Sequence, residues 1–107
     1  MEGRWEVSHA DAALERWRDR CIRAIETGDG IPTVGHLWWR RVDPAAESSV
    51  AHAIELSDGT SSSVLESTLV HGCFAALAMR MPGRAKGYEA ALLWLREELA
   101  RDGGDHG

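Results

Sequence analysis

Leu69-Val70-His71-Gly72-Cys73-Phe74-Ala75-Ala76-Leu77-Ala78-Met79 is a run without a charged side chain, and the way it is bounded decides the fold. Ser63 followed by Glu66 has the spacing of a capping box, in which hydroxyl and carboxylate satisfy two orphan amides at a helix start. Pro82-Gly83 marks the stop. The pattern predicts a helix over residues 63–81. Over residues 69–79 the polar groups on offer are one imidazole and one thiol, so the rest of the chain is expected to surround this helix.

The elements available for that task are signposted on either side. Ser8 reads as an N-cap with Asp11 in the first turn, and Val7 can staple against Ala12. Ala10, Ala13, Leu14, Trp17, Cys21, Ala24 and Ile25 then form one stripe at helical spacing, ended by Gly28 and Gly30. At the other end Tyr88, Ala91, Leu92, Leu95 and Leu99 make a second stripe. Glu97 and Arg101 are an ordered i,i+4 pair there, and Gly103-Gly104 closes the helix.

The middle decides between fold classes. Asp43-Pro44 with Glu47 reads as N-cap, first-turn proline and an acid at the positive helix end, placing Ala46, Val50, Ala53 and Ile54 on one face. Against this, Val50, His52, Ile54 and Leu56 also alternate, and Ser57-Asp58-Gly59-Thr60 is hairpin-turn chemistry. Residues 34–42 carry the same ambiguity. The expected fold is all-α: a compact bundle of four to five short helices around a central apolar helix. The alternative is α+β with a small central hairpin. Residues 1–107 make one domain, with 102–107 a frayed tail.

At 44% hydrophobic the chain has material for one modest core. Its apolar runs fall short of the roughly 20 residues of a membrane span, and the N-terminus lacks the apolar block of a signal peptide, which together point to a cytoplasmic protein. Cys21 and Cys73 each fall on an apolar helix face and read as small hydrophobes. Residues 1–42 balance seven Arg against seven acids, so the net charge of −5 belongs to residues 43–107. That balance disfavours non-specific nucleic-acid binding. Eleven of the twelve basic residues are Arg and Ala is abundant, the mark of GC-rich coding in a bacterial-type protein.

Catalytic signals are weak. On the wheel of the expected central helix, Ser67, His71, Ala75 and Ala78 with Thr68 and Gly72 form a small side that admits a close neighbour. Leu65, Leu69, Val70, Cys73, Phe74, Leu77 and Met81 take the other. His71 and Cys73 are therefore expected as buried polar groups, His71 ordering two helices. Being two apart on a helix, they diverge by about 200° and do not make a nucleophile and base. No His or Cys pair has zinc spacing, and His52 with Glu55 is the weakest form of a metal pair. No phosphate loop, nucleophile elbow or dinucleotide fingerprint occurs. No metal and no cofactor are expected.

Binding features are stronger. Trp38-Trp39 precedes Arg40-Arg41, and neither a helix nor a strand buries two adjacent tryptophans on one face. One of them is a candidate anchor at a protein interface, where Trp and Arg carry much of the binding energy. Leu93 and Trp94 lie off the stripe of the last helix and join the same candidate surface. Arg16, Arg20 and Arg23 form a ridge on the outer face of the first helix that could meet phosphates, with Glu15 and Asp19 near enough to neutralise it locally.

Residues 67–78 followed by 88–95 resemble the paired C-terminal helices of the small α-helical subunits of type III CRISPR effector complexes. The likeness rests on small and apolar residues, residues 28–62 depart from it, and no family is assigned. The reading is a non-catalytic helical protein that binds another protein or itself through the Trp-Arg surface, away from membranes. The alternatives are a helical subunit touching nucleic acid through the Arg ridge, and a small-molecule or catalytic site around His71.

Overall fold

The computed structural model describes residues 8–27 and 44–104, with side chains from 12–27 and 44–101. The described chain is an all-α bundle of four helices: α1 Ser8–Thr27, α2 Pro44–Leu56, α3 Ser62–Ala78 and α4 Pro82–Gly104. No strand occurs among these residues, so the hairpin alternative falls where it was most plausible, at residues 50–56. Pro44 opens α2 with Glu47 in its first turn, and Ala46, Ser49, Val50 and Ala53 are buried. Ile54, expected on that face, is half-buried. No helix among the described residues is long and apolar enough to cross a membrane.

Helix ends follow local chemistry, with shifts from the sequence reading. The N-cap of α3 is Ser61, whose hydroxyl accepts from the Val64 amide at 3.3 Å; Ser63 already lies inside the helix. The helix stops before Pro82. The amide of Arg80 donates to Leu77 O and that of Met81 to Ala76 O, the paired bonds of a Schellman motif, with Arg80 at φ 60°. Met81 O then accepts the Ala85 amide, so the same residue starts α4 with Pro82 at its first position. Ser57-Asp58-Gly59-Thr60 turns between two helices instead of two strands. Gly59 takes φ 74°, and the buried Ser57 is held by Arg18 of α1, whose Nε donates to Ser57 Oγ at 2.8 Å. At the other end α4 runs to Gly104 and takes in residues 102–104 of the expected tail.

The surrounded helix is α4, not the 63–81 helix that its apolar run suggests. Ala85, Tyr88, Ala90, Ala91, Leu92, Trp94, Leu95 and Glu98 are all buried, a set that winds around much of the helix, and α4 packs on each of the other three. Small residues make this feasible. A Cβ at Gly87 would land on the Ala46 carbonyl oxygen and lie 2.6 Å from Ser49 Cβ, so α2 and α4 meet backbone to backbone. At Gly72 the neighbour is the Tyr88 ring, 3.2 Å from such a Cβ, so the small side of α3 does admit a neighbour at that position. On the α1 side, fully buried Trp17 donates its indole N–H to Ala91 O at 2.7 Å, which satisfies the ring's one polar group inside the core. Ala13, Leu14 and Cys21 line the same stripe, as their spacing indicates.

Two outcomes follow. Gly87→Ala should destabilise the fold by about 2 kcal/mol or more, because the α2 backbone has to retreat, whereas Gly72→Ala should stay within about 1 kcal/mol as helix propensity offsets ring crowding. Denaturant titration of both variants checks this. Burial, partly opposed by Arg20, pushes the Cys21 thiol up from 9.0 to about 12. A thiol whose folded value is raised contributes stability that is whole below pH 9.0 and is lost as pH climbs towards about 12. That part of the alkaline slope should vanish in Cys21→Ala.

Candidate protein-interaction surface

Helix α3 lies at the edge of the bundle, and its one extensive neighbour is α4. A single neighbour covers a single stripe. Leu65, Leu69 and Ala76 are buried, with Gly72 and Cys73 partly so. The opposite side carries Ser67, His71, Phe74, Ala75 and Ala78 into solvent, joined by Leu77. Phe74 is 66% exposed, Leu77 54%, Val64 54% and, at the C-cap, Met79 66%. Among the described residues these four, with Ile22 of α1, are the exposed large hydrophobics. Phe74 and Leu77 were expected in the core beside Leu65 and Leu69; the structure separates them, because α4 covers only the stripe of Leu65, Leu69 and Ala76 and no described element reaches the side of Phe74 and Leu77.

The two buried polar candidates come apart in the same way. His71 is exposed, which corrects its expected burial: it stands on the outward face with Phe74. Cys73 is half-buried and turned towards α4, where its thiol donates to Ala85 O at 3.8 Å. Burial raises its pKa, and the nearby Glu89 carboxylate adds to the effect. The divergence of roughly 200° expected for i,i+2 on a helix thus separates them in space.

The arginine ridge does not sit on an outer face. Buried Glu98 of α4 draws Arg16 Nε to 2.8 Å and Arg101 to 3.1 Å, with Arg20 at 3.9 Å. Arg20 also pairs with Glu97 and lies 5.3 Å above the Trp94 ring. Arg16 and Arg20 thus pair across to α4, and Arg101 pairs within α4 with Glu98, where the expected partner was Glu97. Arg16 and Arg20 are committed to these carboxylates, while Arg23 is exposed. Trp94, expected on the partner surface, is buried under Arg20, and Leu93 is half-buried. Trp38, Trp39, Arg40 and Arg41 lie outside the described residues.

A separate open cleft of about 450 Å³ lies between α2 and α4, lined in part by Ser48, His52, Glu55, Arg84 and Tyr88. His52 Nδ1 is 2.7 Å from the Tyr88 hydroxyl, so one proton links the two rings. The spacing of His52 on α2 did not reveal this pairing, since its partner lies 36 positions away. No group of three His, Cys, Asp or Glu among the described residues is placed to hold a metal ion. No family model, curated protein or solved structure matches the chain.

Glu98→Gln keeps the side chain's size and removes its charge. It should lower stability by about 1–3 kcal/mol, less than a fully buried pair because the arginines are partly solvated. It should also raise retention on a polyanion column, since Arg16 and Arg20 lose their counter-charge; unchanged retention would show that the ridge is not what Glu98 holds in check.

Proposed function

We propose that the chain is a non-catalytic helical interaction module that binds another protein, or a second copy of itself, through the outward face of α3. The observation that carries this is the exposure of Phe74 and Leu77 on a helix whose neighbouring face is packed. Contiguous apolar surface of this kind, free of charge from Ser67 to Met79, is unfavourable in water and marks a docking surface more often than a solvated one. The exposed imidazole of His71 and hydroxyl of Ser67 add hydrogen-bonding groups to the patch. The Trp38-Trp39-Arg40-Arg41 segment is proposed as a second contact, on the strength of its composition alone. The setting proposed is the cytoplasm, in keeping with two free cysteines.

This reading separates core from docking residues on one helix. Leu69→Ala should cost about 2–5 kcal/mol, as for a fully buried leucine. Phe74→Ala and Leu77→Ala should each change stability by less than about 0.5 kcal/mol, as for surface positions, while reducing partner binding at least tenfold. Thermal melts of the three variants check the first half. A loss from Phe74→Ala as large as that from Leu69→Ala would mean that the chain covers this face itself, and the reading would fail.

A further inference from the structure

The cleft between α2 and α4 carries a charge arrangement that helix stability does not explain. Glu55 stands in the last turn of α2 and Arg84 in the first turn of α4. A carboxylate at a helix C-terminus and a guanidinium at an N-terminus each face the like-signed end of their own helix dipole, which disfavours both. Neither is compensated nearby. Among the described residues neither Glu55 nor Arg84 has an ion-pair or side-chain hydrogen-bond partner, although both line the same cleft of about 450 Å³. The fold therefore holds one unpaired charge of each sign on facing walls, and each helix end strengthens the field of the charge it carries.

The space between those walls is kept open and polar by the residues that line it. Ser48, Ala51, His52 and Glu55 recur at i, i+3, i+4 and i+7 on one face of α2, and the first two are too small to fill the hollow. Arg84 and Tyr88, one turn apart on α4, form the facing wall. Tyr88 is fixed from two sides. Its buried ring packs beside Gly72 of α3, and its hydroxyl lies 2.7 Å from His52 Nδ1. Whichever imidazole nitrogen carries the proton, the pair keeps one donor and one acceptor for a ligand: Nε2–H with the phenol oxygen, or the phenol O–H with Nε2.

We propose that this cleft binds a small zwitterion, a molecule of the amino-acid class, with its carboxylate on Arg84 and its ammonium on Glu55, the His52–Tyr88 pair supplying a further hydrogen bond. The bound carboxylate meets both the guanidinium and the positive start of α4, and the ammonium meets both Glu55 and the negative end of α2. A simple anion or cation gains one of these contacts and is repelled by the other wall. The cleft volume lies within the roughly 300–1,000 Å³ of small-molecule sites. Because the walls stay open to water, which screens both charges, the affinity is modest, with a Kd on the order of 1 mM. The site is separate from the outward face of α3 and does not depend on what that face binds.

Amide NMR titration of the full chain with glycine, β-alanine, γ-aminobutyrate and ε-aminocaproate varies the distance between the two charges; butyrate and butylammonium carry one charge each. The expected result is saturable shifts at residues 48–55 and 84–88 for one member of the series, at least about tenfold tighter than either singly charged probe. Glu55→Gln and Arg84→Gln should each weaken that binding at least about fivefold. Both should melt at or slightly above the wild-type temperature, since each removes a charge unfavourable to its own helix. Tyr88→Phe, which keeps the ring, should weaken binding by about threefold. No saturable shift from any member up to about 50 mM overturns the proposal. So does butyrate binding as tightly as the best amino acid, which makes the cleft a plain anion site. Binding indifferent to both Gln variants places the ligand elsewhere, and a Gln variant that melts well below the wild type shows that its charge serves the fold; either result equally overturns the proposal.

Discussion

The close approach of α2 to α4 at Gly87 is the constraint on which the rest of the bundle depends. A helix interior pays roughly 1 kcal/mol for glycine in place of alanine, and here the missing methyl lets the Ala46 carbonyl occupy its place. With the two backbones that near, Ala53 and Val50 of α2 and Ala90 and Ala91 of α4 are small enough to be buried completely. The Ala91 carbonyl is then left to receive the Trp17 indole, which orients α1 on the far side. Packing and hydrogen bonding agree on one arrangement because each uses backbone that the other leaves accessible.

Charge completes α1 and α4. Glu98 is buried, and such a carboxylate is tolerable only with partners. Arg16, Arg20 and Arg101 supply them from two helices, while Arg18 reaches instead to the α2–α3 turn through Ser57. Arg16, Arg18 and Arg20 of α1 thereby act as ties to other elements. What they leave uncovered is α3, which is attached mainly along one stripe and through the Glu66–Arg96 pair, and which turns its remaining apolar residues outward.

Helix positions, most of their ends and the all-α class were legible in the sequence, because they rest on contacts within a few residues: proline at the first turn of α2, a serine cap before α3, apolar spacing along α1 and α4. The pattern chose the wrong serine as the cap of α3: Glu66 three residues on pointed to Ser63, but Ser61, Ser62 and Ser63 offer the same hydroxyl, and geometry selects Ser61. The candidate surface was half legible. Phe74 and Leu77 were recognised as apolar, but hydrophobicity states that a side chain prefers to leave water and not whether a neighbour is there to receive it.

The sequence by itself determined four local facts here: where the described helices run, where they stop to within a few residues, which residues of each are apolar, and that the acidity lies in the C-terminal part. Only the tertiary structure decided which helix is central, because that depends on how near two backbones can come, a property of Gly87 against Ala46 across 41 positions. It also decided that α4, rich in charge, is enclosed while α3, whose one charged residue is Glu66, lies at the edge. Enclosure follows from the number of neighbours an element can accept, and small residues with paired charges accept more of them than an unbroken apolar surface does.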